Sequence, residues 1–374
     1  MVEVGFAHYL LGQPREALAA LESTLTIAGD QARPEIQGPI AHNLGYVYLH
    51  LGEYDRALAY QQEAYACHQA AGDYNGMAWA GLDMGFLYLK MGRLPEAEEH
   101  LTESLVLARR IGARPAEAYA LTYSGYRELY QGDYAAAADR FRQTLPMHQA
   151  VRQEHGAVAA EAGRGLALYH LGDLDEARRW LERAVERARS IGHRRRLAEA
   201  LVGLGLVEFA DNQPLAARQC LAEAVELAHA SECRESLAAG LAALALTERE
   251  GGDPASALAH AGEAVRVAQE GPLPVCQMWG EMEVGLALLS QGQPADALEH
   301  TGRAVTLLPQ AHEGWIGTEE VHHAHARALQ ALGRIEEADK HLRQADAILE
   351  AKAARIPDRE QRQRYLQFAP SPIR

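Results

Sequence analysis

The sequence predicts an all-α fold, a right-handed superhelix (α-solenoid) of about nine two-helix repeats, and three series of small residues predict it. A glycine recurs at Gly12, Gly52, Gly92, Gly132, Gly172, Gly252 and Gly292, with Asn212 in the sixth slot and Gly333 one residue late. Five positions after each slot stands an alanine: Ala17, Ala57, Ala97, Ala137, Ala177, Ala217, Ala257, Ala297 and Ala338. Seven positions before each slot stands a third small residue: Gly5, Gly45, Gly85, Gly125, Gly165, Gly205, Ala245, Gly285 and Ala326. The period is forty residues. Such units bury their apolar faces only against their neighbours, so the stack grows as one body and does not divide into separate globules.

Each unit reads as two helices. The first carries apolar residues at helical spacing, as in Leu44, Val47, Tyr48 and Leu51, and ends at the glycine, which takes a left-handed C-terminal cap without penalty. The second opens at once: Asp133, Asp173 and Asp253 stand at N-cap positions, and Pro14, Pro214, Pro254 and Pro294 stand in the first turn. The alanine then lets the two helices approach closely. A further small residue seven positions on, from Thr24, Ala64 and Ser104 to Ala304 and Ala345, continues the seam. Short polar connections such as Ala71-Gly72-Asp73 and Ile191-Gly192-His193 join the units. The widest runs from Leu308 to Gly317, where a bend in the stack is expected.

The superhelix is expected to span residues 1–355, with the first unit truncated at Met1, as in a piece cut from a longer chain. Ile356-Pro357 stops the last long helix. Asp358 and Gln361 then form a capping-box pattern for a short closing helix through about Gln367, making 356–374 a capping helix and tail.

Composition narrows the function. The net charge of −15 over 374 residues, with only short basic clusters such as Arg194-Arg195-Arg196, argues against nucleic acid as a partner. No apolar run reaches the length of a membrane span, and the start lacks the basic residues and apolar core of a signal peptide, so a cytoplasmic protein is expected. Cys67, Cys220, Cys233 and Cys276 have no paired spacing and read as reduced thiols.

Catalytic chemistry is absent from the sequence pattern. The densest group of metal-ligand types, Glu319-Glu320-Val321-His322-His323-Ala324-His325, has no second Glu-x-x-His copy to face it. Gly163-Arg-Gly165 and Gly203-Leu-Gly205 lie inside helices and are not phosphate loops. No Ser/His/Asp or Cys/His arrangement emerges, and Cys67 and His68 diverge on their helix. No enzyme activity, metal or cofactor is expected.

The three small positions and the turn glycine resemble the tetratricopeptide repeat (TPR), with local departures at Ser124 and Arg164. The forty-residue unit, with Ile356, Asp358, Arg362, Tyr365, Leu366 and Pro370 at its end, is similar to the C-terminal TPR sensors of bacterial STAND signal-transduction ATPases, relatives of the maltose-operon activator. That resemblance implies an upstream nucleotide-binding domain in the same parent chain and an inducer, whether protein, peptide or small molecule, in the concave groove. Forty-residue units also occur in adaptors such as the kinesin light chain, and the alternative is a constitutive adaptor holding an extended peptide or helix.

The resemblance further implies which residues face the groove. The position after the small residue of the first helix gives Phe6, Tyr46, Phe86 and Tyr126, then Leu166, Leu206, Leu246, Leu286 and Arg327. Neighbouring groove positions add His42, Trp79, Tyr119, Tyr9 and Tyr169, and next to them lie His50, Lys90, Tyr130 and His170. Asn43 occupies a place from which some TPR adaptors bond a peptide backbone, with Asp83 its only counterpart in the next unit. Taken singly, these large residues at helical spacing read as inter-helix core. As a set confined to the first half, where fourteen of fifteen tyrosines fall by position 169, they read as a binding wall for units one to five.

Overall fold

The computed structural model describes residues 8, 13–29, 33–271, 273–308 and 316–368. Gly5, Phe6, Tyr9, Gly12, most of the Leu308–Gly317 connection and the tail from 369 lie outside them. The described residues form eighteen helices and no strand. A single helix, α1 (Pro14–Ala28), precedes eight pairs: α2 and α3 (Pro34–Leu51, Tyr54–Ala71), α4 and α5 (Tyr74–Lys90, Leu94–Ile111), α6 and α7 (Arg114–Tyr130, Tyr134–Ala150), and α8 and α9 (Glu154–His170, Leu174–Ser190). There follow α10 and α11 (Arg194–Ala210, Pro214–Ala230), α12 and α13 (Arg234–Glu250, Pro254–Gln269), α14 and α15 (Pro274–Ser290, Pro294–Leu307), α16 and α17 (Thr318–Ala331, Ile335–Ala354), and the closing helix α18 (Arg359–Phe368).

The two helices of a unit play different parts. The second helices are amphipathic: α9 buries only Ala177, Leu181, Ala184, Val185 and Ala188, one stripe at helical spacing, and turns its charged residues to water. The first helices are enclosed on nearly every side, and α10 buries thirteen of its seventeen residues. First helices therefore make the inner layer. The alanine series is fully buried at every unit from Ala17 to Ala338. The glycine series explains the closeness: a Cβ at Gly205 would stand 2.6 Å from Leu221 Cγ, so only a hydrogen there lets α10 and α11 nest.

Turn chemistry follows the sequence with one exception. Gly52 takes φ 76°, and Asn212, in the slot where the other units carry glycine, takes φ 59°, a left-handed conformation that Asn tolerates. Asp133 and Asp253 accept hydrogen bonds from the amides of Ala136 and Ser256, as N-caps do. Asp173 does not cap its helix. Its carboxylate instead meets Arg364 of the closing helix at 2.8 Å, a charge-assisted contact from a part of the chain that no local pattern could reveal. Asp358 accepts from the Gln361 amide at 2.7 Å, starting α18 where the sequence places it.

The superhelix winds tightly enough for successive turns to touch. Tyr54 donates to Glu235 at 3.3 Å, Lys90 pairs with Glu235 at 2.8 Å, and Arg234 donates to the carbonyl of Leu51 at 3.1 Å. Later units repeat the pattern, with Arg355 donating to the Gln131 carbonyl and Tyr365 packed near Tyr134. The concave side is thus roofed across, an interior with walls on both sides.

Candidate functional site

The inner layer of the first turn leaves a chamber of about 220 Å³. Its lining comes from five successive units: His42, Asn43 and Tyr46 on α2, Trp79 and Asp83 on α4, Tyr119 and Tyr123 on α6, Gln153 and His155 at the start of α8, and His193 at the start of α10. Trp79 and Tyr119 meet at 5.5 Å between centroids and 62° between planes, and Tyr119 and Tyr123 at 5.9 Å and 57°. Rings tilted in this way make walls at angles to each other, and they enclose space where a parallel stack would fill it.

The polar groups of the chamber are held neutral. Burial pushes the carboxyl of Asp83 up to about 8. Burial also pushes His42 down to about 4 and, with Arg195 and Arg196 beside it, His193 to about 2. His42 Nε2 and Asp83 Oδ2 lie 3.7 Å apart, a spacing compatible with an ion pair. The separation is too long for a hydrogen bond, and burial drives both groups toward their neutral forms, so they are neighbours and not a pair. Gln61 bridges them: its Nε2 donates to Asp83 Oδ2 at 3.2 Å and to the His42 carbonyl at 3.1 Å. Asn43 donates back to the Pro39 carbonyl of its own helix at 2.9 Å, beside a proline whose missing N–H loosens that turn.

A second, smaller cavity of about 50 Å³ lies where the turns meet. Phe86, Lys90, Tyr126 and Tyr130 line one side, and Tyr54, Arg196, Glu199, Glu235 and the segment Leu273 to Cys276 line the others. Burial alone would lower the Lys90 ammonium, but Glu235, with Tyr130 and Tyr54, holds it well above its ordinary range. Burial alone would raise Glu199, but Arg195 and Arg196, at 2.7 and 2.9 Å, hold it down to about 2. Gly163 and Gly203, which occupy the repeat slot of Asn43, Asp83 and Tyr123, also line it, and a Cβ at either would meet Phe141 or Leu181.

The structure therefore divides the residues that the sequence assigns to one groove. Tyr46, Trp79, Tyr119, His42 and Asn43 share the chamber. Phe86, Lys90, Tyr126 and Tyr130 border the second cavity, and His50 lies beside Lys90 and Arg195 at the same junction. Phe86 is 2% exposed and stacks on Tyr123 at 4.2 Å, forming the partition between the two spaces, so the expected continuous binding wall is replaced by two compartments. Tyr169 joins neither: its ring packs edge-on against Phe368 of α18 at 5.5 Å, because the closing helix returns across α8. Sequence reasoning missed Tyr123, His155, His193, Arg196, Glu199, Glu235 and Tyr54. For Asp83 and Tyr123 a signal existed, since both stand forty-residue steps from Asn43.

The histidine-rich segment also departs from expectation. His341, on the facing helix α17, approaches His322 at 3.0 Å between Nδ1 atoms and packs on His325, a partner that the Glu-x-x-His pattern did not lead to. Among the described residues, no group of three or more His, Cys, Asp or Glu side chains is arranged to hold a metal ion. The four cysteines are free thiols, Cys233 and Cys276 buried. No described helix is long and apolar enough to cross a membrane.

A family model described as tetratricopeptide repeat matches residues 37–105, 76–150 and 157–230, and a second model of that repeat matches 320–344. No curated protein matches. Among solved structures, a Rap protein complexed with Competence and Sporulation Factor is similar over 90% of this chain and 96% of its own, with 16% identity and a TM-score of 0.62. An IFIT1 variant with m7Gppp-AAAA is similar over 88% and 77%, with 17% identity and a TM-score of 0.52. A STAND protein with a tetratricopeptide repeat sensor from Pyrococcus horikoshii is similar over 74% of this chain and 44% of its own, with 13% identity and a TM-score of 0.48. At these identities the likeness is one of fold.

Proposed function

The chain belongs to the tetratricopeptide repeat family, and from that premise we propose that it is the ligand-binding sensor of a STAND-type signal-transduction ATPase in the cytoplasm, taking its inducer in the first-turn chamber. TPR folds generally bind and do not catalyse. The observation that carries the reading is the chamber itself. Tyr46, Trp79 and Tyr119 are only partly buried and line a concave space of about 220 Å³, while the alanines alternating with them, such as Ala78, Ala80, Ala118 and Ala120, are sealed.

The closure of the superhelix bears on what the ligand is. A constitutive adaptor would lay a helix of about 10 Å diameter along the groove. Here Tyr54, Lys90 and Arg234 bridge the turns, and the inner space is divided by Phe86 and Tyr123. A compact ligand, or the end of a peptide, suits that space better than a continuous helix. The Rap structure offers a parallel in a protein of like shape that holds a Competence and Sporulation Factor. In a sensor, the inducer would favour the turn spacing that best encloses it and so bias an upstream nucleotide-binding domain through differential affinity for two states.

The test is a thermal-shift screen of small metabolites and short peptides against the full chain, followed by titration of each hit. Trp79→Ala and Tyr119→Ala should weaken a true chamber ligand at least tenfold. Trp180→Ala, on the second helix α9 beside Arg164 and Arg183, should leave it unchanged. Hits that ignore both chamber substitutions would overturn the assignment.

A further inference from the structure

Asp83 is the least expected residue of the chamber. It projects from α4 at 3% exposure, and among the described residues no lysine or arginine pairs with it. Among the described residues its side-chain hydrogen-bond donor is the neutral amide of Gln61. Buried carboxylates are ordinarily matched by a cation, because an isolated charge away from water is costly. Around this carboxyl stand the rings of Tyr46, Trp79, Tyr119 and Tyr123, from three different helices. A cation over an aromatic face is attracted by the ring quadrupole, most strongly where water is excluded.

Resting on the reading that this chamber is the ligand site, we propose that it selects an organic cation, an amine or quaternary ammonium head seated against Asp83 and boxed by Tyr46, Trp79, Tyr119 and Tyr123. The chamber's size, about 220 Å³, lies below the roughly 300–1,000 Å³ of sites for drug-sized ligands and fits a compact head group. The arginines nearby do not turn the site toward anions. Arg195 and Arg196 share the single carboxylate of Glu199 and Lys90 pairs with Glu235, so two carboxylates stand among these three cations, and none of the three pairs with Asp83.

The electrostatics give the proposal a signature. The groups facing Asp83 are His42 on α2, Gln61 on α3, Tyr119 and Tyr123 on α6, His155 on α8, and His193 at the start of α10. Burial keeps each of the three histidines below its ordinary range and both tyrosines above theirs, so all are neutral near pH 7. Asp83, raised by burial to about 8, is also mostly protonated there. A bound ammonium stabilises the ionised carboxylate, so binding at pH 7 transfers the Asp83 proton to solvent. Affinity for a permanent cation should then rise with pH and level off above about 8.

The experiment is isothermal titration calorimetry of the full chain with choline and with its uncharged carbon isostere 3,3-dimethylbutan-1-ol, together with pH-stat measurement of proton release. Choline should bind on the order of tenfold more tightly than the alcohol and release part of one proton at pH 7. Asp83→Asn, which resembles the protonated side chain in shape, should abolish the release and reduce the preference to what the rings alone supply, while circular dichroism stays helical. Equal binding of the two probes, a preference undiminished by Asp83→Asn, or no choline binding would overturn the cation proposal. The chamber reading has its own arm: whichever probe binds should be weakened by Trp79→Leu and Tyr119→Leu. Binding indifferent to those two substitutions would overturn the chamber reading itself.

Discussion

Asp83→Asn should stabilise the protein, by an amount that depends on pH. Burial raises the Asp83 carboxyl from 3.8 to about 8, so between those values the folded chain holds a proton at this site that the unfolded chain has released. Stability from this group therefore falls as pH rises, by up to about 1.4 kcal/mol per pH unit, and levels off above about 8. The direction is opposite to that of a salt-bridged carboxylate. At pH 7, roughly three units above the unfolded value, the ceiling on the cost is about 4 kcal/mol. The asparagine amide must find an acceptor of its own in the chamber, so the expected net gain is about 2 kcal/mol. Urea denaturation followed by circular dichroism at pH 5 and pH 8.5 measures it. The stability difference between variant and parent should be small at pH 5 and large at pH 8.5. A difference independent of pH, or a variant less stable at pH 8.5, would refute the assignment of Asp83 as a carboxyl kept uncharged by burial.

Other substitutions test the packing. Gly205→Ala puts a Cβ 2.6 Å from Leu221 Cγ and should cost about 1–3 kcal/mol in the same denaturation assay. Gly262→Ala, on an exposed helical position of α13 with nothing within 4 Å, should instead add about 0.5–1 kcal/mol. Glu235→Gln leaves the Lys90 ammonium enclosed without its carboxylate, so a loss of about 3 kcal/mol and a larger radius of gyration by small-angle X-ray scattering are expected. Phe86→Ala, at 2% exposure and stacked on Tyr123, should lose about 3–5 kcal/mol of stability and so cannot serve as a pure ligand-binding probe, unlike Trp79 and Tyr119.

The repeat was legible because its cause is local. Two helices nest only where side chains are tiny, and Ala57, Ala97 and their counterparts carry that requirement at every forty-residue step. The aromatic wall was legible in part for the same reason: Tyr46, Trp79 and Tyr119 stand at groove-facing steps of the period. Whether such a step faces space or neighbour depends on what stands opposite, and here the sequence carries no mark. Phe86 and Tyr46 occupy equivalent slots, yet Phe86 is sealed because Tyr123 of the next unit lies flat against it. Arg195 and Arg196 form a basic cluster in the chain and are nevertheless buried, sharing the carboxylate of Glu199 one turn along.

The least legible property is the contact between turns, which closes the second cavity. Each unit adds a small rotation to the last, and only the accumulated rotation decides whether residues such as Tyr54 and Glu235, 181 positions apart, come to touch. The contacts between Lys90 and Glu235, Gln131 and Arg355, and Asp173 and Arg364 span 145, 224 and 191 positions. No repeat can signal them, because the partners are single residues set into otherwise ordinary units. Their effect is to convert an open curved surface into an interior. Asp83 lies apart from those contacts, in the chamber lined by the first turn, where burial keeps its carboxyl neutral among the rings of Tyr46, Trp79, Tyr119 and Tyr123.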